Sequence, residues 1–287
     1  MRERKESIPF PLVVLTGRMR LSGLSWVLAE NITQQIRQQR PSNLIQACTE
    51  HISSFSSEAA EKFVVLTQFS KSSEKQTPSI ILAIEGSSAT GKSILAMGLL
   101  RALSASRIVS TDTIRQVLRV KGSSEKHPEL YCHTYQAHKH KQTGSKDLDP
   151  IVRGFLAQCE LITPTISRLV ERLVNEGTTG LIEGVHIVPG NLQKLGEGII
   201  EVLIHPSQKI HEGMFISKGK DTKLKTVSKE ESIRVAEYEA TRKIQDFMFQ
   251  RAEMNNCHIV EMKDFDKAES MICDIVYSKV KEIMKKK

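Results

Sequence analysis

Aromatic residues are scarce: Phe, Tyr and Trp make up 5% of the 287 residues, with a single tryptophan. So few rings leave few platforms on which the bases of a single strand could stack. Cysteine is sparse too. Cys48, Cys132, Cys159, Cys257 and Cys273 are odd in number and form no Cys-x-x-Cys pair, which argues against a zinc ribbon or disulfide framework and for reduced thiols. No apolar run reaches about 18 residues, so no membrane span is expected. The opening residues Met1-Arg2-Glu3-Arg4-Lys5-Glu6 mix both charge signs and lack the apolar core of a signal peptide. A cytoplasmic protein is the expectation.

What is present suits a globular chain. Hydrophobic residues at 39% and charged residues at 26% support a real core, and the length allows one large or two modest domains. The net charge of +8 fits an anionic partner, either nucleic acid or a phosphorylated small molecule.

Composition shifts near residues 71–78. Ser70 to Pro78 is polar, ends in proline and has no apolar periodicity, which reads as a linker. Before it, Leu21, Leu24, Trp26, Val27, Leu28, Ile32 and Ile36 recur at helical spacing, so residues 1–70 are expected to form a small, mainly helical N-terminal domain. From 79 to 287 short apolar runs alternate with helical patterns. Ile80–Ile84, Arg107–Ser110, Gly180–Val185, Ile200–Ile204 and Cys257–Val260 are candidate strands. Helices are expected around 92–104, 112–120, 151–176, 229–254 and 265–284. This alternation predicts an α/β fold, a mostly parallel sheet with helices on both faces, and the glycine-containing loop Gly86 to Ser93 directly after its first strand makes the expected sheet P-loop NTPase-type.

The segment Gly86-Ser87-Ser88-Ala89-Thr90-Gly91-Lys92-Ser93 matches GxxxxGK[ST] completely, with a strand before it and a helix after it. Gly86 and Gly91 permit backbone conformations in which successive N–H groups curl around phosphate oxygens. The helix N-terminus beyond favours the anion. Lys92 then reaches the β- and γ-phosphates of ATP, and the Ser93 hydroxyl binds magnesium.

The second strand ends in Ser110-Thr111-Asp112-Thr113-Ile114-Arg115. Ligands of open parallel sheets sit beyond the strands' carboxyl ends, so Asp112 and Arg115 are expected at the cleft, one helical turn apart. Asp112 is suited to take a proton from an attacking hydroxyl or to order Mg2+, and Arg115 to grip a substrate phosphate or carboxylate. The alternative is that Asp112 only caps the helix and Arg115 is a solvated surface residue. Glu183 ends the third strand where an acid can stand near the metal, and His186 follows as either a substrate contact or an ordinary loop histidine. The lysine-rich stretch Lys218 to Lys225 suits a mobile lid that excludes water, or a solvated loop. His133, His138 and His140 cluster in 121–150 without an acid or cysteine at metal-ligand spacing. That segment reads as a substrate-side insertion with Tyr131 and Tyr135.

Taken together these residues resemble the archaeal 2-phosphoglycerate kinases across nearly the whole chain. The resemblance rests on the phosphate loop, the Ser110 to Arg115 segment, Gly154-Phe155-Leu156-Ala157-Gln158, and above all Glu183-Gly184-Val185-His186-Ile187-Val188-Pro189-Gly190. His211, Phe215 and Arg242-Lys243-Ile244-Gln245 also stand at family-like positions. The stretch from Pro9-Phe10-Pro11 to Gly23-Leu24 looks like an ATP-cone-type module. Gly213, Met214 and Lys218 stand where the resemblance calls for more arginine, which passes the lid's charge to lysines. The resemblance implies transfer of the ATP γ-phosphate to the free hydroxyl of 2-phosphoglycerate, giving 2,3-bisphosphoglycerate. The partner is then a small phosphorylated acid, held by Arg115, Glu183, His186 and Lys218, with Arg153 or Arg168 assisting. The cofactors are ATP and Mg2+, the metal lying near Ser93, Asp112 and Glu183. Two other readings stay open: a polynucleotide 5′-hydroxyl kinase, and a non-catalytic ATP-sensing regulatory protein.

Overall fold

A computed structural model describes residues 11–72, 77–221 and 230–286, with the side chains of 218–221 and 231 outside that description. Four helices open the chain: α1 (Leu12–Leu21), α2 (Trp26–Gln39), α3 (Leu44–Ser53) and α4 (Ser57–Lys71). Ser25, Asn43 and Ser56 cap the last three, each accepting a backbone N–H from the first turn. Their apolar faces make a core of their own around Met19, Ile32, Ile36, Ile52 and Phe63.

The alternation read from the sequence becomes β1 (Ile81–Glu85), α5 (Lys92–Ala102), β2 (Arg107–Ser110), α6 (Thr111–Lys121), α7 (Pro150–Asn175), β3 (Gly180–Gly184), β4 (Ile199–His205), α8 (Gln208–Asp221), α9 (Glu231–Met254), β5 (His258–Glu261) and α10 (Phe265–Lys285). All neighbouring strands are parallel, in the order β2-β3-β1-β4-β5. β1 is buried along its whole length, as a central strand covered on both faces must be. Its side chains alternate. Leu82 and Ile84 join α5, α10, Leu21 and Leu66 on one face, whereas Ile81 and Ala83 join α6 and α7 on the other. A third core, around Phe155, Phe215, Tyr238 and Met248, lies among α7, α8 and α9.

Two details depart from the sequence expectations. The stretch 121–150 contains two short 3-10 turns, Pro128–Tyr131 and Thr134–Lys139, with Tyr135 buried and Tyr131 partly exposed. The expected basic lid starts inside a helix, because α8 continues to Asp221, anchored by the buried Phe215. Residues 222–229, which include the rest of that lid to Lys225, lie outside the described residues, as do Pro9 and Phe10 of the expected N-terminal module and 73–76 of the linker. Among the described residues, no helix is long and apolar enough to cross a membrane.

Candidate active site

The phosphate loop turns from β1 into α5 through Gly86 (φ 147°), Ala89 (φ 62°) and Gly91 (φ 90°). These are conformations glycine adopts freely, and a Cβ on Gly91 would stand 3.0 Å from Phe265 and 3.1 Å from Met262. No side chain caps α5 at Gly91. This end of α5, with its helix dipole, suits an anion, as a phosphate-binding loop requires.

Ser87 is the hub of that loop. Its N–H donates to Gln245 Oε1 of α9 at 2.8 Å, and its carbonyl accepts from Lys92 Nζ at 2.9 Å and Thr90 Oγ1 at 3.2 Å. The carbonyl of Ser88 accepts from His211 Nε2, in the first turn of α8, at 2.9 Å. His211 is fully buried, and burial pushes its imidazole down to about 4, against the upward pull of the Ser88 carbonyl. It is neutral at pH 7, with its proton on Nε2. Thus α8 and α9 hold the loop from the side opposite α5.

Glu183 is in register with Ile84 of β1 and Ser110 of β2, so the strand order sets its carboxylate between the phosphate loop and α6. Ser93 Oγ donates to Glu183 Oε2 at 3.0 Å. Asp112 is the second residue of α6, with Ser110 at the N-cap position. Its side chain is 61% exposed and lies 3.3 Å from Arg115 Nη2. Arg115, only 11% exposed, donates through Nη1 to the Cys132 carbonyl at 2.9 Å. One edge of its guanidinium is thus committed to holding the 121–150 insertion. Arg119, a turn further on, does the same through the Leu130 carbonyl.

His186 sits differently from the expectation of a substrate contact. It is fully buried, with Nδ1 3.0 Å from Thr111 Oγ1 and Nε2 3.1 Å from Gln158 Oε1. Gln158 spends its amide N–H groups on the Glu129 and Cys132 carbonyls, so its oxygen faces the imidazole. Nε2 therefore carries the proton, and Nδ1 accepts from the Thr111 hydroxyl. Burial lowers His186 to about 3, the Asp112 carboxylate pulling the other way. The ring braces the first residue of α6 behind Asp112.

The geometry thus brings together Gly86 to Ser93, Glu183, Asp112 and Arg115, with His186 one layer behind. Arg168 is exposed, in the part of α7 that runs away from this edge, and Lys218 lies in the last turn of α8, its side chain outside the described residues. Gln245 and His211 stand at family-like positions whose role the sequence does not show. Glu85 carries one sequence signal, an acid ending an apolar run. Glu85 is fully buried, and no donor reaches its carboxylate oxygens, which leaves a proton shared with Glu201 to satisfy them. Burial first, and the neighbouring Glu201 second, push it well above the usual carboxylate range. Among the described residues, no three His, Cys, Asp or Glu side chains form a metal cage.

Comparison with known proteins places this geometry. A 2-phosphoglycerate kinase of Pyrococcus horikoshii is 28% identical over 294 residues, covering 99% of this chain and 94% of that protein. The 2-phosphoglycerate kinase of Pyrococcus furiosus is 26% identical over 297 residues, covering 100% and 95%. The chain is a relative of the archaeal 2-phosphoglycerate kinases. A third such relative, from Methanopyrus kandleri, is 30% identical over 217 residues, covering 72% of this chain and 63% of that protein. No family model matches the chain. Among solved structures, a sugar kinase from Janibacter sp. HTCC2649 superposes with a TM-score of 0.39 at 10% identity, covering 70% of this chain and 98% of that one. As a relative of these kinases with a complete phosphate loop, the chain is an ATP-dependent phosphotransferase.

Proposed function

We propose that the chain transfers the γ-phosphoryl group of ATP to the free hydroxyl of 2-phosphoglycerate, giving 2,3-bisphosphoglycerate. The observation that carries this reading is the near full-length similarity to kinases of that name, joined to the 3.0 Å contact of Ser93 and Glu183 at the mouth of the phosphate loop.

Residues 86–93 cradle the phosphates, and Lys92 leaves the Ser87 carbonyl to neutralise charge on the transferring group. Ser93 and Glu183 offer hard oxygen donors side by side, which fits Mg2+ better than a softer metal. When bound, magnesium draws charge from the phosphate oxygens. Asp112, open to solvent at the start of α6, accepts the proton of the acceptor hydroxyl. That oxygen attacks the γ-phosphorus, the bond to the bridging oxygen breaks, and ADP leaves. Arg115, whose Nη2 stands beside Asp112, and Lys218 from the lid hold the acceptor's anionic groups. His186 has no open face for a substrate and acts by holding Thr111. Catalysis is then positioning and charge neutralisation around an in-line transfer. The same proposal treats residues 1–70 as a helical packing module on a P-loop domain of 79–287.

ADP release from magnesium-ATP, with 2-phosphoglycerate, 3-phosphoglycerate and a 5′-hydroxyl oligonucleotide as acceptors, tests this. Turnover with 2-phosphoglycerate alone, reduced about 10²-fold or more in Asp112→Asn, is the expected result. Turnover only with the oligonucleotide moves the acceptor to nucleic acid. Tight ATP binding without any acceptor-dependent turnover replaces the enzyme with an ATP sensor.

A further inference from the structure

A second cavity, of about 700 Å³, opens between the middle of α7 and the C-terminal half of α9, and no phosphate-loop residue, Asp112, Arg115, Glu183 or Gln245 lines it. Leu156, Val188, Phe247 and Met254 give it an apolar wall. Such a size and lining, with a few polar groups set among apolar ones, is that of small-molecule sites.

Its polar groups are not balanced. Arg251 lines the cavity half-buried, and its Nε is closed off from water with no hydrogen-bond partner. Among the described residues its guanidinium makes no ion pair. Glu160 is the one acid among the described residues that line the cavity, and Glu201 of β4 is not among its walls. Glu201 is taken up by the N–H groups of Gly190, Leu192 and Gln193, at 3.1, 3.2 and 2.9 Å. Glu160, exposed on the opposite wall, accepts the Thr143 hydroxyl. A half-buried guanidinium set in an apolar wall, with no carboxylate paired to it, favours an anionic ligand in the cavity.

We propose that this cavity binds a small carboxylate with an apolar body. Its two oxygens lie on the planar fork of Arg251, and its hydrocarbon lies along Leu156, Val188, Phe247 and Met254. The fork matches a carboxylate in two parallel hydrogen bonds. Glu160 on the facing wall disfavours a second negative charge, which selects a monoanion over a phosphate. This site is independent of the kinase reading. Its walls nevertheless belong to elements that reach the phosphate loop: α9 carries Gln245, and Val188 lies five residues after Glu183 in the same segment.

The test is calorimetric titration of the full chain with octanoate, with 1-octanol as the uncharged and octylammonium as the cationic counterpart. Arg251→Gln removes the fork. Met254→Glu, at a position 76% exposed, adds a repelling charge at little risk to the fold. The expected result is one saturable octanoate site, with 1-octanol and both variants at least tenfold weaker, octylammonium silent, and saturating magnesium-ATP without effect on octanoate binding. The proposal is overturned if octanoate fails to bind at millimolar concentration, or if 1-octanol binds as tightly. It is equally overturned if both variants bind like the parent, or if magnesium-ATP displaces octanoate, which would put the anion in the phosphate loop.

Discussion

Gln245 accepts the backbone N–H of Ser87 at 2.8 Å. The same amide donates to the Ile204 carbonyl at 3.0 Å, so one buried side chain ties the phosphate loop to the end of β4. Gln245→Leu leaves the Ser87 N–H unmade, a cost of about 1–3 kcal/mol, and the loop loses order before nucleotide binds. The expected outcome is a KM for ATP raised about tenfold with a smaller change in kcat. Gln245→Glu keeps the acceptor for Ser87 but loses the donor to Ile204, and should fall between. Steady-state kinetics separate this from general loosening: equal losses in KM and kcat in both variants would remove the positioning role.

Ser93 and Glu183 share a 3.0 Å hydrogen bond where the metal is proposed to sit. Removing either oxygen should weaken the metal more than the nucleotide. Ser93→Ala and Glu183→Gln are expected to need at least tenfold more magnesium for half-maximal turnover, and to lose about 10²-fold in kcat even at saturation. Titration of magnesium at fixed ATP reads the effect. An unchanged magnesium midpoint in both variants would place the metal elsewhere.

Glu85 holds a buried carboxyl that no donor reaches, and its affinity for a proton is raised by burial, then by the charge of Glu201 and a hydrogen bond to it. The folded state therefore binds a proton that the unfolded state releases above the ordinary glutamate range. Its contribution is fully present below about pH 4.5 and is lost as pH rises toward the raised folded value. Glu85→Gln keeps the shape without the charge. It should raise the melting temperature at pH 8, by about 2–4 °C for each kcal/mol relieved, with the gain vanishing near pH 4. A variant less stable than the parent at pH 8 would show that the carboxylate is ionised and held.

The α/β architecture was legible because β1 is an apolar run leading straight into the phosphate loop, and because short strand-like runs alternate with helical patterns everywhere except between β3 and β4. The start of β1 moved by one residue, from Ile80 to Ile81, since where a ladder begins depends on partners such as Gly180 and Gly198 that local composition cannot specify. The lid reading of Lys218 to Lys225 rested on charge alone, which does not show that its first four residues stand in the last turn of α8. Asp112, Arg115 and Glu183 could be named because strand ends define the cleft. Gln245 stood only at a family-like position, without a role, because its contact with Ser87 spans 158 residues and exists only once α9 has packed over the sheet. His186 shows the same limit: nothing in its spacing distinguishes a substrate contact from a ring buried between Thr111 and Gln158.

His211 and His186 are both neutral in the fold, with burial lowering them to about 4 and about 3. The unfolded chain binds protons on both below about pH 6.5, while the folded chain does not until much lower pH. Stability from this source is therefore complete above pH 6.5 and falls as pH drops toward 4. Each buried histidine adds a slope of up to about 1.4 kcal/mol per pH unit in that window. His211→Asn should flatten the decline between pH 6.5 and 5 relative to the parent, measured by denaturant unfolding at each pH. An identical pH slope in the two proteins would mean that His211 titrates normally.

Glu269 of α10 receives both Arg20 Nε of α1, at 2.8 Å, and the indole N–H of Trp26 of α2, at 2.9 Å, on a single oxygen. Arg20 and Glu269 are 6% and 11% exposed, so this pair joins the N-terminal helices to the sheet domain nearly out of water. Lys62 and Asp274 make a second bridge at 2.9 Å, but its acid is 56% exposed and the bridge is worth at most about 1 kcal/mol. Glu269→Ala strands a buried guanidinium, and about 3–5 kcal/mol of stability should go with it. Because the loss comes from the unpaired charge, Arg20→Met combined with Glu269→Leu should recover most of it, whereas Asp274→Ala should cost little. Trp26 is the only tryptophan, so its fluorescence reports the docking directly. If undocking precedes global unfolding in Glu269→Ala, the indole signal will change at lower denaturant than the helical signal. Coincident transitions would instead make the N-terminal helices part of one cooperative unit with the phosphate-loop domain.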